Sequence, residues 1–228
     1  EFPLLEAVVE FPAGEKWVGG LHTANLALSY EFDGAMDAFN SEGIEFTYSD
    51  GFKDLIDLQM KYSPYAQDPS KAISVDYGQQ VGGGLLIERV AVIQQGNWVS
   101  GEVLSMDPSF LDKLDMVAMP ISGIEESKLP VGVPTNWAVN STSSEADKAA
   151  AKDFLNWLYT SEEGKDFVVN KFAFIPIMEG YEDYMVTDSL GNAIQRYSNE
   201  GKTVGWITAA FPSGWSDSVM GSALQEYI

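Results

Sequence analysis

Apolar positions recur along this chain with a helical period over most of its length and as short β-branched runs in a few places. Leu21, Leu28 and Phe32 fall roughly on one face of a helix over 21–32, and 33–39 predicts a second, shorter one. Asp50 is placed to cap a third, in which Phe52, Leu55, Ile56 and Met60 recur at i, i+3, i+4 and i+8. A helix is also expected over 77–88 despite Gly82, Gly83 and Gly84, each of which costs about 1 kcal/mol relative to alanine. The best helical pattern covers about 144–159. Thr142 and Glu145 offer it a capping box, and Ala146, Ala150, Phe154, Trp157 and Leu158 make the stripe expected to be buried. Thr160 and Glu163 open a further helix to about Lys171, and Phe174-Ile175-Pro176 turns the chain extended. A polar helix is predicted over 188–199 and a last one from Trp215 to the end.

Three segments read as strands: 90–95, ending at Gly96; 116–119, stopped by Pro120; and 137–140. Between them, 122–134 is rich in Gly, Pro and charge and predicts a crossing or exposed loop. Strands alternating with helices give an α/β class with helices in excess.

Composition narrows the function. The 228 residues are 45% hydrophobic, enough for a real core, and the length falls awkwardly between one domain and two. Thirteen Lys and Arg face 34 Asp and Glu, a formal charge of -21. That balance argues against nucleic acid, whose binding rests on basic residues neutralising phosphates, and against anionic membrane. Neutral or cationic ligands are left as natural partners. With no cysteine there are no disulfides, thiolate chemistry or Cys-based zinc sites, and the single His22 removes His-cluster metal sites. No run of 18 apolar residues exists, and the opening Glu1-Phe2-Pro3-Leu4-Leu5-Glu6 does not read as a signal peptide.

No catalytic constellation emerges. The glycines at 82–84 lack the preceding strand, the G-x-G-x-x-G spacing and the Lys-Ser/Thr of a phosphate cradle. There is no G-x-S-x-G elbow and no calcium-loop spacing. The sequon at Asn140 is better explained by a turn before a helix cap. His22 reads either as a surface residue near a helix start or as the lining of a site entrance.

The tryptophans carry more information. Trp157 sits on a helical stripe and reads as core. Trp17, Trp98, Trp137, Trp206 and Trp215 each neighbour Gly, Pro or Asn at an element boundary, where a large ring can present its face to a cleft. Pyranose sugars offer an axial C–H face to such rings, and nearby Asn, Asp and Glu can take the hydroxyls.

Three stretches then form an ordered series: 92–99 (VIQQGNWV), 116–121 (MVAMPI) and 132–140 (GVPTNWAVN). The series resembles the extracellular solute-binding proteins of ABC sugar importers, the maltose-binding-protein-like group. The stretch 149–165 (AAAKDFLNWLYTSEEGK) is similar to that family's helix pair, 174–176 to its next segment, and 211–216 (FPSGWS) to its late aromatic loop. The resemblance runs from about Trp17 to the last residue.

It implies a type II periplasmic-binding-protein fold of two α/β lobes closing over ligand, with one lobe largely present and the second only partly. Residues 1–121 would begin the C-terminal-type lobe, 122–175 would cross into the N-terminal-type lobe, and 176–228 would return. Trp98 and Trp215 would match ring-stacking positions, Trp17 a third aromatic, and Glu15 a hydroxyl-binding carboxylate. Trp137 would stand where the crossing strand reaches the cleft, with Asn97, Asn136 and His22 as neighbours. The implied ligand is a carbohydrate, the partners are ABC permease subunits, and the location is extracellular, as a lipoprotein or periplasmic protein of a bacterium. No cofactor, no metal and no enzymatic activity are implied. The first lobe's opening elements are missing from the matched series, so the chain resembles an interior stretch of such a protein. On that reading 122–175 lacks most of its partner lobe and is expected to pack abnormally, dimerise or move. Two other functions fit exposed aromatics among acids: an extracellular glycoside hydrolase or lyase, and an interaction module that binds protein through Trp137 or Trp206.

Overall fold

Two short pairs of parallel strands organise the helices of this chain. In the computed structural model, which describes residues 3–133, 136–172, 174–176, 178–181, 183–184 and 188–228, β1 (Ala7–Glu10) pairs with β2 (Val90–Ile93), and Ala7 lies beside Val90. Glu1 and Phe2 of the opening segment, and Pro134 and Thr135 of the 132–140 motif, lie outside the described residues. The second pair is β3 (Leu129–Val131) with β4 (Thr203–Gly205), Leu129 lying beside Thr203. Parallel neighbours require a long crossover, and helix and loop fill both. The chain is therefore mixed helix and strand with helix in excess, the coarse α/β class its pattern predicts.

A π-helical turn, Val18–Thr23, runs directly into α1 (Ala24–Leu28), so the first helix starts earlier and stops sooner than its apolar spacing suggests. The short helix α2 (Ala35–Asn40) follows. α3 (Ser49–Lys61) buries Leu55, Ile56 and Met60, as expected from the i, i+4 pattern, although Asp50 lies in its first turn and Tyr48 holds the cap position. α4 (Tyr77–Gln80) continues into a π-helical turn through the three glycines, Val81–Leu85. Its start is secured by a capping box: Asp76 Oδ1 accepts from the Gln79 N–H at 2.8 Å and Gln79 Oε1 accepts from the Asp76 N–H at 3.1 Å. α5 (Val99–Met106) follows β2. After β3 come α6 (Glu145–Thr160), α7 (Glu162–Asp166) with its continuation Phe167–Lys171, and α8 (Ser189–Asn199), which Asp188 caps. The chain closes with a π-helical turn, Trp215–Gly221, and α9 (Ser222–Tyr227).

Several expectations are corrected. Residues 116–119 pair with no strand among the described residues, and the Ala118 N–H donates instead to the Tyr197 hydroxyl at 3.1 Å. Residues 137–140 are not a strand either, whereas the supposed loop 122–134 contains β3. α6 is capped by Ser144 and not by Thr142; the Ser144 hydroxyl accepts from the Asp147 N–H at 3.2 Å. Its apolar stripe is largely uncovered. Leu158 is buried with Val168, Val169 and Tyr181, but Phe154 is 51% and Trp157 37% exposed. From these two rings an open chain of aromatic contacts runs on through Phe167, Phe172 and Phe174. Periodicity shows that one face is apolar; it does not say that anything lies against it.

The core nearest the candidate site gathers Phe11, Val18, Ile56, Met60 and Leu224, with Trp17 packed on its edge. The turn 18–23 seats directly on the turn 215–221. A Cβ on Gly20 would come within 1.9 Å of the Ser216 carbonyl oxygen, so only glycine allows this approach. The end of the chain is thereby locked against its beginning.

Candidate functional site

The residues after β2 build the site in alternation. Gln94 and Gln95 continue the strand direction and turn to opposite sides. Buried Gln94 donates from Nε2 to Thr23 Oγ1 (2.5 Å) and to the Val18 carbonyl (3.3 Å), and its Oε1 accepts from Gln59 Nε2 (2.8 Å). It thus ties α3 to the turn that carries His22. Gln95 faces the other way. Its Oε1 accepts from the Trp98 indole N–H at 3.1 Å, and its Nε2 donates to Gln80 Oε1 at 2.8 Å. Gln80 in turn donates to the Glu10 carbonyl at 2.6 Å, which links the indole to β1. Gly96 is required beneath the ring, because a Cβ there would stand 2.1 Å from the Trp98 six-membered ring.

Four rings converge here. His22 meets Trp17 edge-on at 4.9 Å between centroids, Trp98 at 4.9 Å and Trp206 at 5.3 Å, and Trp17 lies 6.0 Å from Trp98. Each indole is held by its own local device. The Trp17 N–H donates to Glu15 Oε2 at 2.9 Å, and the other carboxylate oxygen accepts from the Tyr77 backbone N–H at 3.2 Å. Trp206 follows β4 and packs on Gly132 just after β3, where a Cβ would approach its Cγ to 2.7 Å. Fully buried Asn25, one turn beyond His22, clamps the corner around Trp206. Its Oδ1 accepts from the Ile207 N–H (2.8 Å) and the Thr208 N–H (3.3 Å), and its Nδ2 donates to the Gly205 carbonyl (3.4 Å).

Burial among these rings lowers the His22 pKa to about 4, so the imidazole is neutral at physiological pH and acts as an aromatic surface. Trp98 is 39% exposed and offers ring area to solvent.

Of the residues singled out in the sequence, Trp17, Trp98, His22 and Glu15 come together. Asn97 lies in the turn beside them, half-buried, its backbone carbonyl accepting from Ser100. Trp215 does not join the cluster: it is half-buried against Ala24, Leu28 and Ile207 and pairs edge-on with Phe211 at 4.8 Å. Trp137 does not join it either. It is 59% exposed and donates to the Tyr159 hydroxyl at 2.6 Å, and its neighbour Asn136 is exposed. Trp206 is visible in the sequence as a tryptophan at an element boundary, but no spacing links it to His22. The Gln94 and Gln95 props carry no signal beyond their place between strand and glycine.

Among the described residues no group of three His, Asp or Glu side chains is arranged to hold a metal, and no helix is long and apolar enough to cross a membrane. Both oxygens of Glu15, the carboxylate at the cluster, are engaged in holding structure. No family model, curated protein or solved structure matches the chain.

Proposed function

We propose that the chain is the carbohydrate-binding part of an extracellular solute-binding protein, which captures a sugar and hands it to an ABC importer permease without chemical change. The observation that carries this reading is the convergence of Trp17, His22, Trp98 and Trp206 from three separate segments, Trp17 and His22 sharing the first. The indole N–H groups of Trp17 and Trp98 are already committed to Glu15 and Gln95, so the rings are set before ligand arrives and little ordering entropy is lost on binding. A pyranose stacks its C–H face on the open side of Trp98, and Asn97 supplies an amide for its hydroxyls. Micromolar capture requires about -8 kcal/mol, within reach of stacking and a few hydrogen bonds. The reading takes no cofactor. Transfer follows if a facing surface closes on the bound sugar, because ligand touching both sides favours the closed state by its differential affinity.

The test is calorimetry and tryptophan fluorescence against a panel of mono- and oligosaccharides. Saturable binding is expected for at least one, and Trp98→Ala should weaken it by about tenfold or more. Silence across the panel, or affinity untouched by Trp98→Ala and Trp17→Ala together, overturns the proposal.

A further inference from the structure

A second site lies at the end of α1, lined by residues that take no part in the tryptophan cluster. Tyr30, Glu31, Phe32, Gly43, Glu45, Thr47 and Tyr48 enclose an open cavity of about 260 Å³. That is below the roughly 300–1,000 Å³ of sites that take drug-sized ligands, so the occupant is small. The walls are aromatic. Tyr30 and Tyr48 meet edge to face, centroids 6.0 Å apart with 68° between their planes, and Phe32 lines the same cavity. The Tyr30 hydroxyl is held from behind, accepting from the Lys128 backbone N–H at 3.0 Å.

The charge at the rim is all of one sign. Two carboxylates, Glu31 and Glu45, line the cavity, and among the described residues no Lys or Arg does. Glu31 also builds the loop opposite, with its oxygens accepting from the backbone N–H groups of Thr47 (2.7 Å) and Glu45 (3.1 Å). Between those two residues Phe46 is held at a φ of 55°, a conformation that bulky side chains rarely adopt. Strained backbone of this kind persists where the surroundings over-determine it, and it clusters at ligand clamps. Glu45 is exposed and forms no ion pair among the described residues.

Rings meeting edge to face, two carboxylates and a volume too small for an oligosaccharide share one chemical complement. We propose that this cavity binds a small quaternary ammonium cation, seated against Tyr30, Phe32 and Tyr48 with Glu31 and Glu45 as its countercharge. A ring quadrupole attracts a cation over its face, and a quaternary ammonium loses little hydration on entering. The net charge of -21 draws such a ligand towards the protein.

The experiment is a calorimetric titration of the whole chain with choline, tetramethylammonium and 3,3-dimethylbutan-1-ol, the neutral isostere of choline. Both cations should bind saturably, and the alcohol at least about tenfold more weakly. Tyr48→Leu keeps apolar bulk and removes the ring, and should weaken choline by about tenfold. Glu45→Gln removes a rim charge without touching the Glu31 loop contacts made through backbone, and should weaken choline severalfold while the far-UV circular dichroism is unchanged. Equal affinity for the alcohol, no saturation by either cation, or full affinity in both variants overturns the proposal.

Discussion

Two desolvated titratable groups make opposite statements about stability. His22 has its pKa lowered to about 4 by burial, against about 6.5 for an ordinary histidine. Below pH 6.5 an unfolded chain takes up a proton that the folded one refuses, so this residue's support is intact above pH 6.5 and is lost as pH falls towards 4. The loss reaches about 3 kcal/mol. Glu10 behaves the other way. It is 1% exposed at the end of β1, one carboxylate oxygen accepts from the Tyr65 hydroxyl at 3.1 Å, and the other, Oε2, has no hydrogen-bond partner among the described residues. Burial raises its pKa, so above the ordinary carboxylate range its contribution falls as pH rises. Urea unfolding of His22→Phe at pH 7 and pH 4.5 should show a smaller drop between the two than the parent chain, by about 2 kcal/mol. An identical drop would mean that His22 is charged, or solvated, in the folded protein. None of this is readable in the string of letters: His22 stands near a run of glycines, and the three indoles that desolvate it come from before it, from past β2 and from past β4.

At the scale of elements, legibility depends on what a pattern can say. α3 is legible because its apolar face is covered by Phe11, Val18 and Leu224; of the residues the spacing selects, Leu55, Ile56 and Met60 are buried and Phe52 is half-buried. α6 is legible as a helix, since Ser144 starts it and Ala and charged residues sustain it, but the burial of its face is not. Leu158 is its one fully buried side chain among the described residues, while Phe154 and Trp157 meet each other in the open at 5.9 Å. The two kinds of position should respond differently. Phe154→Ser is expected to change stability by no more than about 0.5 kcal/mol, whereas Leu158→Ala should cost about 2–5 kcal/mol. Thermal unfolding of the two variants decides it, and a large loss at Phe154 would mean that the stripe is covered in solution. Residues 137–140 depart from expectation for a related reason. A β-branched or aromatic run becomes a strand only when a neighbour offers its backbone, and here Trp137 finds Tyr159 instead.

For the whole molecule, charge dominates. Its ion pairs are mostly exposed, Arg196 with Asp115 at 3.0 Å among them, and exposed pairs add little. With 34 acids against 13 bases, mutual repulsion opposes the compact state. Raising sodium chloride from 10 mM to 0.5 M cuts the screening length from about 30 Å to a few ångströms. The melting temperature should rise by roughly 2–4 °C for each kcal/mol of repulsion removed. A fall in the melting temperature would show that the attractive pairs outweigh the repulsion.

The two strand pairs also have a consequence for assembly. β1 with β2 and β3 with β4 close two long loops that follow one another along the chain without interlocking. A chain emerging from the ribosome has all of the first before any of the second exists, but the first loop's core is completed only by Leu224, from past the second. Trp17, His22 and Trp98 belong to the first loop or its immediate continuation, and Trp206 follows the strand that closes the second. The contact of His22 with Trp206 therefore joins a residue inside the first loop to one just past the second, a pairing of long sequence separation that must wait for the second loop's last strand to be made.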